Sequence, residues 1–480
     1  MARKMLRFVQ VEQRLPDKRE AADRRRDFEE IYEDYEPLSA AEQAGRCSQC
    51  GVPYCQVHCP VNNNIPDWLM LTAEGRLEEA YEVSQATNNF PEICGRICPQ
   101  DRLCEGNCVI ETAGHGTVTI GAVERHITDT AFAKGWVKPI EPPVEHAFSV
   151  GVIGAGPAGL AAAEQLRKQG WQVTVYDRHD RVGGLLIYGI PNFKLEKEVV
   201  LRRAEMMQRS KIAFELECEV GRDLSLAELR RRHDAVLIAT GVYKARDLMV
   251  PGVGQSNVVA ALDFLFAANR TGLGERVPGF DSGLLNAAGK QVVVIGGGDT
   301  AMDCVRTAVR QGATSVSCLY RRDRANMPGS QREVANAEEE GVQFLWLSAP
   351  EAVLGDKQAT QVRAAKVHLG LPDATGRQAP QVLEGSSANV PADLVIKALG
   401  FDPEDLPVLF NEPKLAVTRW GTIKTDFRTL STSLSGVYAA GDIVRGASLV
   451  VWGIRDGRDA AVSIDRYLRE KQAGLRQAAE

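Results

Sequence analysis

Eight of the eleven cysteines lie between positions 47 and 108, and their spacing suits metal binding. They form two groups of four thiols: Cys47, Cys50, Cys55 and Cys59, then Cys94, Cys98, Cys104 and Cys108. In a reducing compartment such a concentration of thiols binds metal more often than it forms disulfides. Two groups of four suit two cubane iron–sulfur clusters with four ligands each. Zinc is the alternative, but structural zinc sites favour two short Cys-x2-Cys pairs, and only Cys47 and Cys50 have that spacing.

The spacing alone does not fix which thiol serves which cluster. In ferredoxin-like runs that end in Cys-Pro, the last cysteine usually serves the other cluster. Applied here, this rule gives Cys47, Cys50 and Cys55 a fourth ligand from the second group. It places Cys59 with Cys98 and Cys104.

A glycine motif within residues 150–177 predicts a dinucleotide site. An apolar run is followed by Gly154, Gly156 and Gly159, then by an Ala- and Leu-rich helical pattern and a second apolar run that ends at Asp177. The first glycine permits a tight turn, the second lets the backbone approach a pyrophosphate, and the third lets helix and strand pack closely. Asp177 can accept hydrogen bonds from a ribose diol.

The motif recurs within residues 291–322, which predicts a second dinucleotide site. Gly296, Gly298 and Ala301 form its turn, and the second strand ends at Tyr320, followed by Arg321 and Arg322. An acid at this position would repel a 2′-phosphate, whereas guanidinium groups grip it. The second site is therefore expected to prefer NADPH to NADH, the alternative being that both arginines merely face solvent.

Three further stretches resemble buried strands that end in small-residue turns. They are DAVLIATG, VPADLVIKALG and SGVYAAGD, and their turns contain Gly241, Gly400 and Gly441. Asp442, at the end of the last stretch, can bind the ribityl hydroxyls of a flavin. A helix rich in small residues is expected from about Leu449 to Tyr467, and its N-terminus would favour negative charge on a reduced flavin.

Length and composition set the remaining limits. A chain of 480 residues requires two or three domains. The net charge of −6 argues against a nucleic-acid partner. The N-terminus lacks a secretory signal and no apolar run is long enough to span a membrane, so we expect a cytoplasmic chain. Residues 24–35 are expected to be helical, with basic residues that either form a docking surface or face solvent.

The motifs RCSQCGVPYCQVHCP, CGRICPQDRLCEGNC, GAGPAGL, GGGDTAMD and AAGD together resemble the small (β) subunit family of bacterial NADPH-dependent glutamate synthases. The resemblance covers essentially the whole chain. The same module is similar to the N-terminal part of dihydropyrimidine dehydrogenase and to the larger subunit of an electron-bifurcating NADH-dependent ferredoxin:NADP oxidoreductase.

The resemblance implies an α/β fold of two Rossmann-like domains, with the second inserted in the first, preceded by a helical iron–sulfur domain. The implied domains are 1–145 for two [4Fe-4S] clusters, 146–285 and 406–480 for FAD, and 286–405 for NADPH. The implied FAD contacts are Gly154, Gly156, Gly159, Asp177, Gly184 and Asp442, with Pro157, Ala158, Arg178, Leu185, Gly241 and Gly441 beside them. The implied NADPH contacts are Gly296, Gly298, Ala301, Arg321 and Arg322, with Asp299, Thr300 and Gly400 beside them.

Similarity to dihydropyrimidine dehydrogenase implies that a side chain in the helix after the cysteines completes the second cluster. The matching residue is Glu124, which would join Cys59, Cys98 and Cys104. The first cluster would then use Cys47, Cys50, Cys55 and Cys108. Cys94 is the alternative to Glu124, because a thiolate is the softer and more usual ligand of iron–sulfur clusters.

The expected function is electron input, with no catalytic side chain of the protein's own. NADPH would reduce FAD by hydride transfer, and the clusters would carry single electrons to an acceptor outside the chain. By resemblance, that acceptor is a large (α) subunit with FMN and a glutamine amidotransferase, where L-glutamine and 2-oxoglutarate yield two L-glutamates. One alternative is another acceptor, such as a ferredoxin or a pyrimidine- or sulfur-reducing subunit. Another is a flavin disulfide reductase, which needs a redox Cys-x-x-Cys that neither Cys218 nor Cys304 provides.

Overall fold

The computed structural model describes residues 4–373 and 378–479, and its first part is helical. Two 3-10 turns, Gln100–Arg102 and Glu105–Asn107, lie within this helical unit. Its helices are α1 (Ala21–Arg24), α2 (Pro37–Ala44), α3 (Tyr54–Val57), α4 (Ile65–Glu74), α5 (Leu77–Thr87), α6 (Pro91–Ile97), α7 (Val109–Thr112) and α8 (Ile120–Ala133).

The prediction of a helix over residues 24–35 is wrong. Helix α1 ends at Arg24, and an antiparallel bridge joins Lys18 to Tyr32 instead. Arg24 is 1% exposed, and its guanidinium contacts Glu340 at 3.2 Å and Glu339 at 2.6 Å. Part of the positive charge of this segment therefore forms ion pairs with a distant part of the chain. The periodicity of apolar residues in the sequence could not reveal such contacts.

The chain then enters the first α/β unit. An extended segment without helix or strand, 134–148, connects the two. The elements that follow are β1 (Ser149–Ile153), α9 (Pro157–Lys168), β2 (Gln172–Tyr176), α10 (Leu185–Tyr188), α11 (Lys197–Arg209), β3 (Ala213–Glu215), α12 (Leu226–Arg232), β4 (Ala235–Ile238) and β5 (Lys244–Ala245).

The second α/β unit is inserted after β5. Its elements are β6 (Val258–Ala260), α13 (Ala261–Gly272), α14 (Pro278–Asp281), β7 (Gln291–Ile295), α15 (Asp299–Arg310), β8 (Ser315–Leu319), α16 (Gln331–Glu339), β9 (Gln343–Leu345), β10 (Ser348–Leu354), β11 (Gln361–Pro372), β12 (Gln378–Val382), β13 (Ala388–Pro391) and β14 (Leu394–Lys397). A parallel sheet has the order β6-β14-β7-β8-β9. Strands β10 to β13 form an antiparallel sheet beside it.

The chain finally returns to the first unit. Its last elements are β15 (Phe401–Asp402), α17 (Leu406–Leu409), β16 (Val437–Ala439), α18 (Asp442–Arg445) and α19 (Val450–Ala479). Strand β16 pairs with β4, so the first parallel sheet has the order β16-β4-β1-β2-β3. The predicted fold class, two doubly wound α/β units after a helical one, is confirmed.

The second parallel sheet begins earlier in the chain than expected. Strand β6 belongs to it but precedes the boundary placed at residue 286. A three-residue edge strand carries no glycine motif, so nothing in the sequence marks it. The division into domains stays a prediction, with this boundary moved to the segment between β5 and β6.

The helical unit contributes residues to the main hydrophobic cluster of the first α/β unit and has a second buried cluster of its own. Phe90 and Ile93 pack in the same buried cluster as Val451 and Ile454 of α19. Helix α19 also lies against α9, where Gly457 closely approaches the backbone at Ala158. Within the described ranges, neither α19 nor any other helix has both the length and the apolar character that crossing a bilayer requires.

The contact between α19 and α9 predicts a strong effect of one methyl group. A Cβ at Gly457 would lie 2.1 Å from the carbonyl oxygen of Ala158. Because that oxygen belongs to the backbone, Gly457→Ala should push the helices apart and lower the free energy of unfolding by about 1 to 3 kcal/mol. The measurement is the urea midpoint of the purified chain.

Gly474 in the same helix provides the control. A Cβ there would meet no atom within 4 Å. Gly474→Ala should leave the midpoint unchanged or raise it, because alanine is the better helix former by about 0.5 to 1 kcal/mol. Equal midpoints for the two variants would contradict the packing described here.

Candidate functional site

The first glycine motif forms a turn that leaves room for a ligand. Gly154 has φ +110°, and a Cβ there would lie 2.3 Å from the carbonyl oxygen of Ala239. A Cβ at Gly159 would lie 1.9 Å from the carbonyl oxygen of Gly154, whereas Gly156 faces open space. Gly154 and Gly159 therefore allow close packing, whereas Gly156 leaves the start of α9 open to an approaching phosphate.

Beside this turn lies a cavity of about 270 Å³. The predicted contacts Asp177 and Arg178 line it, together with His179, Thr240 and Glu404. The hydroxyl of Thr240 is buried and has no hydrogen-bond partner among the described residues. A buried polar atom without a partner is costly, so the cavity fits a ligand that brings polar groups of its own.

Asp177 and Arg178 are held in place by neighbouring groups. The carboxylate of Asp177 accepts hydrogen bonds from the backbone N–H of Ala155 at 2.7 Å and of His179 at 2.8 Å. Arg178 pairs with Glu404 at 3.0 Å and lies 4.6 Å from the ring centre of Tyr243. Burial raises the pKa of Tyr243, with a smaller contribution from Asp177. Asp177 therefore shapes the glycine turn as well as lining the cavity.

The other predicted contacts of the first site meet at the same sheet edge. A Cβ at Gly184 would lie 3.0 Å from the Cα of Gly156, and one at Gly441 would lie 2.8 Å from the side chain of Ala158. Leu185 begins α10, Pro157 begins α9, and Gly241 follows β4, which neighbours β16.

Asp442 begins α18 directly after Gly441. Burial raises the pKa of this carboxyl to about 7. Burial therefore favours the protonated form, which can donate a hydrogen bond as well as accept one.

The second glycine motif has the same construction. A Cβ at Gly296 would lie 2.2 Å from the carbonyl oxygen of Ala398, whereas Gly298 faces open space. Ala301 is fully buried under the turn. Asp299 and Thr300 form the start of α15, and Gly400, with φ +94°, follows the neighbouring strand β14.

The two arginines after β8 differ in their surroundings. Arg321 is exposed, whereas Arg322 is half-buried. The Nε and Nη2 atoms of Arg322 are buried and have no hydrogen-bond partner in the parts of the chain that the structure describes. A buried guanidinium with two free donors fits an anionic ligand such as a phosphate.

The first set of predicted cluster ligands lies together. Burial raises the pKa of Cys47 to about 11, with smaller contributions from Cys108 and Cys50. Burial likewise raises the pKa of Cys55 to about 12, and its next contributors are Cys47 and Cys108. These four thiols are therefore near enough to influence one another's charge, and the backbone N–H of Gln49 donates to the Cys47 sulfur at 3.4 Å.

The second set surrounds a small cavity of about 30 Å³. Cys59, Cys98 and Cys104 line it, and so do both candidates for the fourth ligand, Cys94 and Glu124. A hydrogen bond with Cys94, followed by burial, raises the pKa of Cys98. The predicted ligands thus lie around one cavity, but their positions do not show whether Cys94 or Glu124 is the fourth ligand.

Glu124 is held by three polar side chains in the interior. Its Oε1 atom accepts hydrogen bonds, each 3.4 Å long, from Asn63, Ser84 and Asn88. Burial raises the pKa of its carboxyl to about 8. Because all three donors meet at Oε1, Oε2 is the oxygen that could bind a metal.

Within residues 4–373 and 378–479, no group of three or more Cys, His, Asp or Glu side chains is close enough to hold a single metal ion. The spacing of the thiols along the sequence remains the observation that favours iron–sulfur clusters over zinc.

Sequence reasoning missed several residues of these sites. Thr240 lies in the ATG turn, which had been singled out only for its glycine, and Tyr243 and Glu404 come from loops without any motif. Val451, in the first turn of α19, lines the cavity of the second thiol set. No local signal could have identified it, because α19 reaches that cavity only through the fold.

Two family models match the chain. Residues 24–136 match the model described as dihydropyrimidine dehydrogenase domain II, 4Fe-4S cluster. Residues 148–457 match the model described as pyridine nucleotide-disulphide oxidoreductase. The first match contains both cysteine groups, and the second contains both glycine motifs.

Curated relatives and solved structures agree with these matches. The chain is 68% identical over 478 residues to the glutamate synthase [NADPH] small chain of Azospirillum brasilense, with 99% of each protein covered. It is 45% identical over 475 residues to that of Escherichia coli K12, covering 98% of this chain and 100% of the relative. FprA of Mycobacterium tuberculosis in complex with NADPH has the same fold, with a TM-score of 0.58 and 20% identity over 69% of this chain and 86% of FprA. The chain therefore belongs to the family of glutamate synthase [NADPH] small chains, which are oxidoreductases.

Proposed function

We propose that this chain is the electron-input subunit of an NADPH-dependent glutamate synthase. It oxidises NADPH and passes electrons singly to a large subunit, which forms two L-glutamates from L-glutamine and 2-oxoglutarate. The main support is the position of α19. Its first turn contributes Val451 to the cavity of the second thiol set, and Asp442 of the proposed FAD site lies at the start of the preceding short helix.

The chain's own residues would bind the cofactors and fix their positions. Bound FAD would accept electrons from NADPH as a pair and release them one at a time. The open glycine turns at Gly156 and Gly298 present the N-termini of α9 and α15 to phosphates. The unpartnered hydroxyl of Thr240 and the free donors of Arg322 support a ligand at each site. No side chain is needed as a nucleophile or a base.

The partner is proposed from the family. The relatives are named small chains, which implies a large chain beside them. We propose that this large (α) subunit carries FMN and the glutamine amidotransferase. Most of the eight clustered cysteines are proposed to bind iron instead of forming disulfides, and this use of thiols supports a reducing compartment such as the cytoplasm.

A second candidate is the same module with another acceptor. The chain is 46% identical over 463 residues to the putative oxidoreductase AegA of Escherichia coli K12, but covers only 70% of that protein. A similar module thus occurs within a longer oxidoreductase. Such a protein does not require a glutamate-forming partner, so the acceptor must be tested directly.

Anaerobic reduction by NADPH tests the proposed function. The isolated holoprotein should show flavin bleaching, but glutamate should form from L-glutamine and 2-oxoglutarate only after the large subunit is added. Bleaching without glutamate in the presence of that subunit would favour the second candidate. Failure of NADPH to bleach the flavin would overturn both.

Arg322 should determine the preference for NADPH. Arg322→Ala should raise the KM for NADPH far more than that for NADH, by about 1 to 3 kcal/mol in specificity, because a charged hydrogen bond to the 2′-phosphate is lost. Arg321→Ala should have a smaller effect, since Arg321 is exposed. Arg324 pairs with Glu338 at 2.8 Å, so Arg324→Ala is the control that should leave the preference unchanged. Equal losses with both nucleotides would show that Arg322 does not contact the phosphate.

Replacing either candidate for the fourth ligand should distinguish Glu124 from Cys94. Cys94→Ala should retain the iron of both clusters, whereas Glu124→Ala should lose up to half of it, because only Glu124 is proposed to bind iron. The measurement is iron per FAD in the purified holoprotein, with the paramagnetic signals of the reduced clusters as a second readout. Loss of about half the iron in Cys94→Ala, with full iron in Glu124→Ala, would reverse the assignment.

A further inference from the structure

The second α/β unit contacts the loop of residues 98–105, which contains two thiols of the second set, Cys98 and Cys104. In this loop, Arg102 pairs through Nη2 with Asp299 at 3.5 Å, and its Nη1 donates to the carbonyl oxygen of Pro328. Asp101, next to it, accepts hydrogen bonds from the hydroxyl of Ser330 at 3.2 Å and from the backbone N–H of Gln331 at 3.3 Å.

A second arginine makes the reverse contact. Arg332, from α16, donates to Glu105 at 2.8 Å and to the side chain of Gln100 at 3.1 Å. Glu105 is 4% exposed, follows Cys104 directly, and also accepts from the backbone N–H of Gly121 at 3.0 Å. The loop is therefore fixed on one side by the helical unit and on the other by the second α/β unit.

The contacting segment is attached to the second glycine turn. The backbone N–H of Gly329 donates to the carbonyl oxygen of Gly297 at 3.0 Å. Asp299, which begins α15 directly after Gly298, accepts from the backbone N–H of Ser330 at 2.9 Å. Residues 328–332 thus connect the glycine turn with the thiol-bearing loop through hydrogen bonds and the ion pair of Arg332 with Glu105.

The contact between the helical unit and the second α/β unit combines charged and apolar side chains and is incompletely filled. A cavity of about 80 Å³ lies within it, and its lining includes Pro99, Asp299, Arg332, Leu15, Ile31 and Phe193. The two buried clusters of the second unit are made of that unit's own residues. Contacts between units that depend in part on ion pairs allow relative movement.

We propose that Arg102 and Arg332 are positioning residues that couple nucleotide binding in the second unit to the second iron–sulfur site. This inference rests on the proposed function. A nucleotide that binds at the glycine turn shifts the attached residues 328–332, and these arginines transmit the shift to the loop of Cys98 and Cys104. Coupling of this kind is reciprocal, so the state of the loop alters nucleotide affinity by the same factor.

The test adds NADP⁺ in the presence of excess dithionite. Reduced flavin can convert bound NADP⁺ to NADPH, and dithionite replaces the electrons that this conversion withdraws, so the clusters stay reduced while a nucleotide occupies the site. The holoprotein is reduced with dithionite, and the paramagnetic signals of its clusters are recorded with and without NADP⁺. The same measurement is made on Arg102→Ala/Arg332→Ala, and the Kd for NADP⁺ is determined for both proteins. The matched control is Arg276→Ala/Arg363→Ala, whose arginines contact Asp281 and Asn389 within the second unit.

In the parent protein and the control, NADP⁺ should change the signal of one cluster. In Arg102→Ala/Arg332→Ala that change should vanish, and the Kd should rise by about threefold to thirtyfold, as expected for two partly exposed charged contacts. Iron and FAD content should stay constant, because neither arginine is a proposed ligand. If the double variant loses iron, Arg102→Ala alone carries the test, since this side chain is 40% exposed.

Two results would overturn the proposal, and a third concerns the proposed function. An undiminished NADP⁺-dependent change in the double variant would show that the arginines do not transmit it. Absence of that change in a parent protein that binds NADP⁺ would show that no coupling exists. Failure of the parent protein to bind NADP⁺ at all would instead refute the proposed function.

Discussion

One hydrophobic cluster bridges the helical unit and the first α/β unit, and the proposed electron path depends on it. Close-packed interiors keep their dimensions, so groups attached to such a core stay at a constant separation. Helix α19 is the common element: Gly457 lets it lie against α9, and Val451 reaches the second thiol set. Electron tunnelling needs a short and constant distance between carriers, and a shared core supplies both.

The second α/β unit is attached in a different way. Its contacts with the helical unit include many ion pairs, such as Arg24 with Glu340 and Arg332 with Glu105. Buried ion pairs add little net stability compared with apolar packing, but they require one particular alignment. A unit that binds and releases a substrate benefits from an interface that fixes its orientation and can still open. The two kinds of attachment therefore match the two proposed tasks, carrying electrons and exchanging nucleotide.

Local rules predicted much of this architecture. The turns at Gly154 and Gly296 need positive φ and contact backbone atoms, and such demands are visible in the sequence because only glycine meets them. The thiols could also be predicted to bind metal, because their number and spacing in the sequence are typical of iron–sulfur ligands. The burial of Arg24, the edge strand β6 and the role of Val451 depend on contacts between distant segments. Periodicity and spacing contain no information on such contacts, so only the folded chain reveals them.

Several buried groups remain costly unless a ligand joins them. Arg322 has two donors without partners, Thr240 has an unpartnered hydroxyl, and Glu124 is a carboxyl whose pKa burial raises to about 8. In the thiol sets, burial also raises the pKa of Cys47 and Cys55, so metal binding must displace the protons of these thiols. Each ligand therefore removes a penalty that the protein alone bears, and binding adds directly to the stability of the fold. By this argument the unpartnered atoms of Thr240 and Arg322 and the buried carboxyl of Glu124 are better satisfied in the cofactor-loaded protein than in the protein alone.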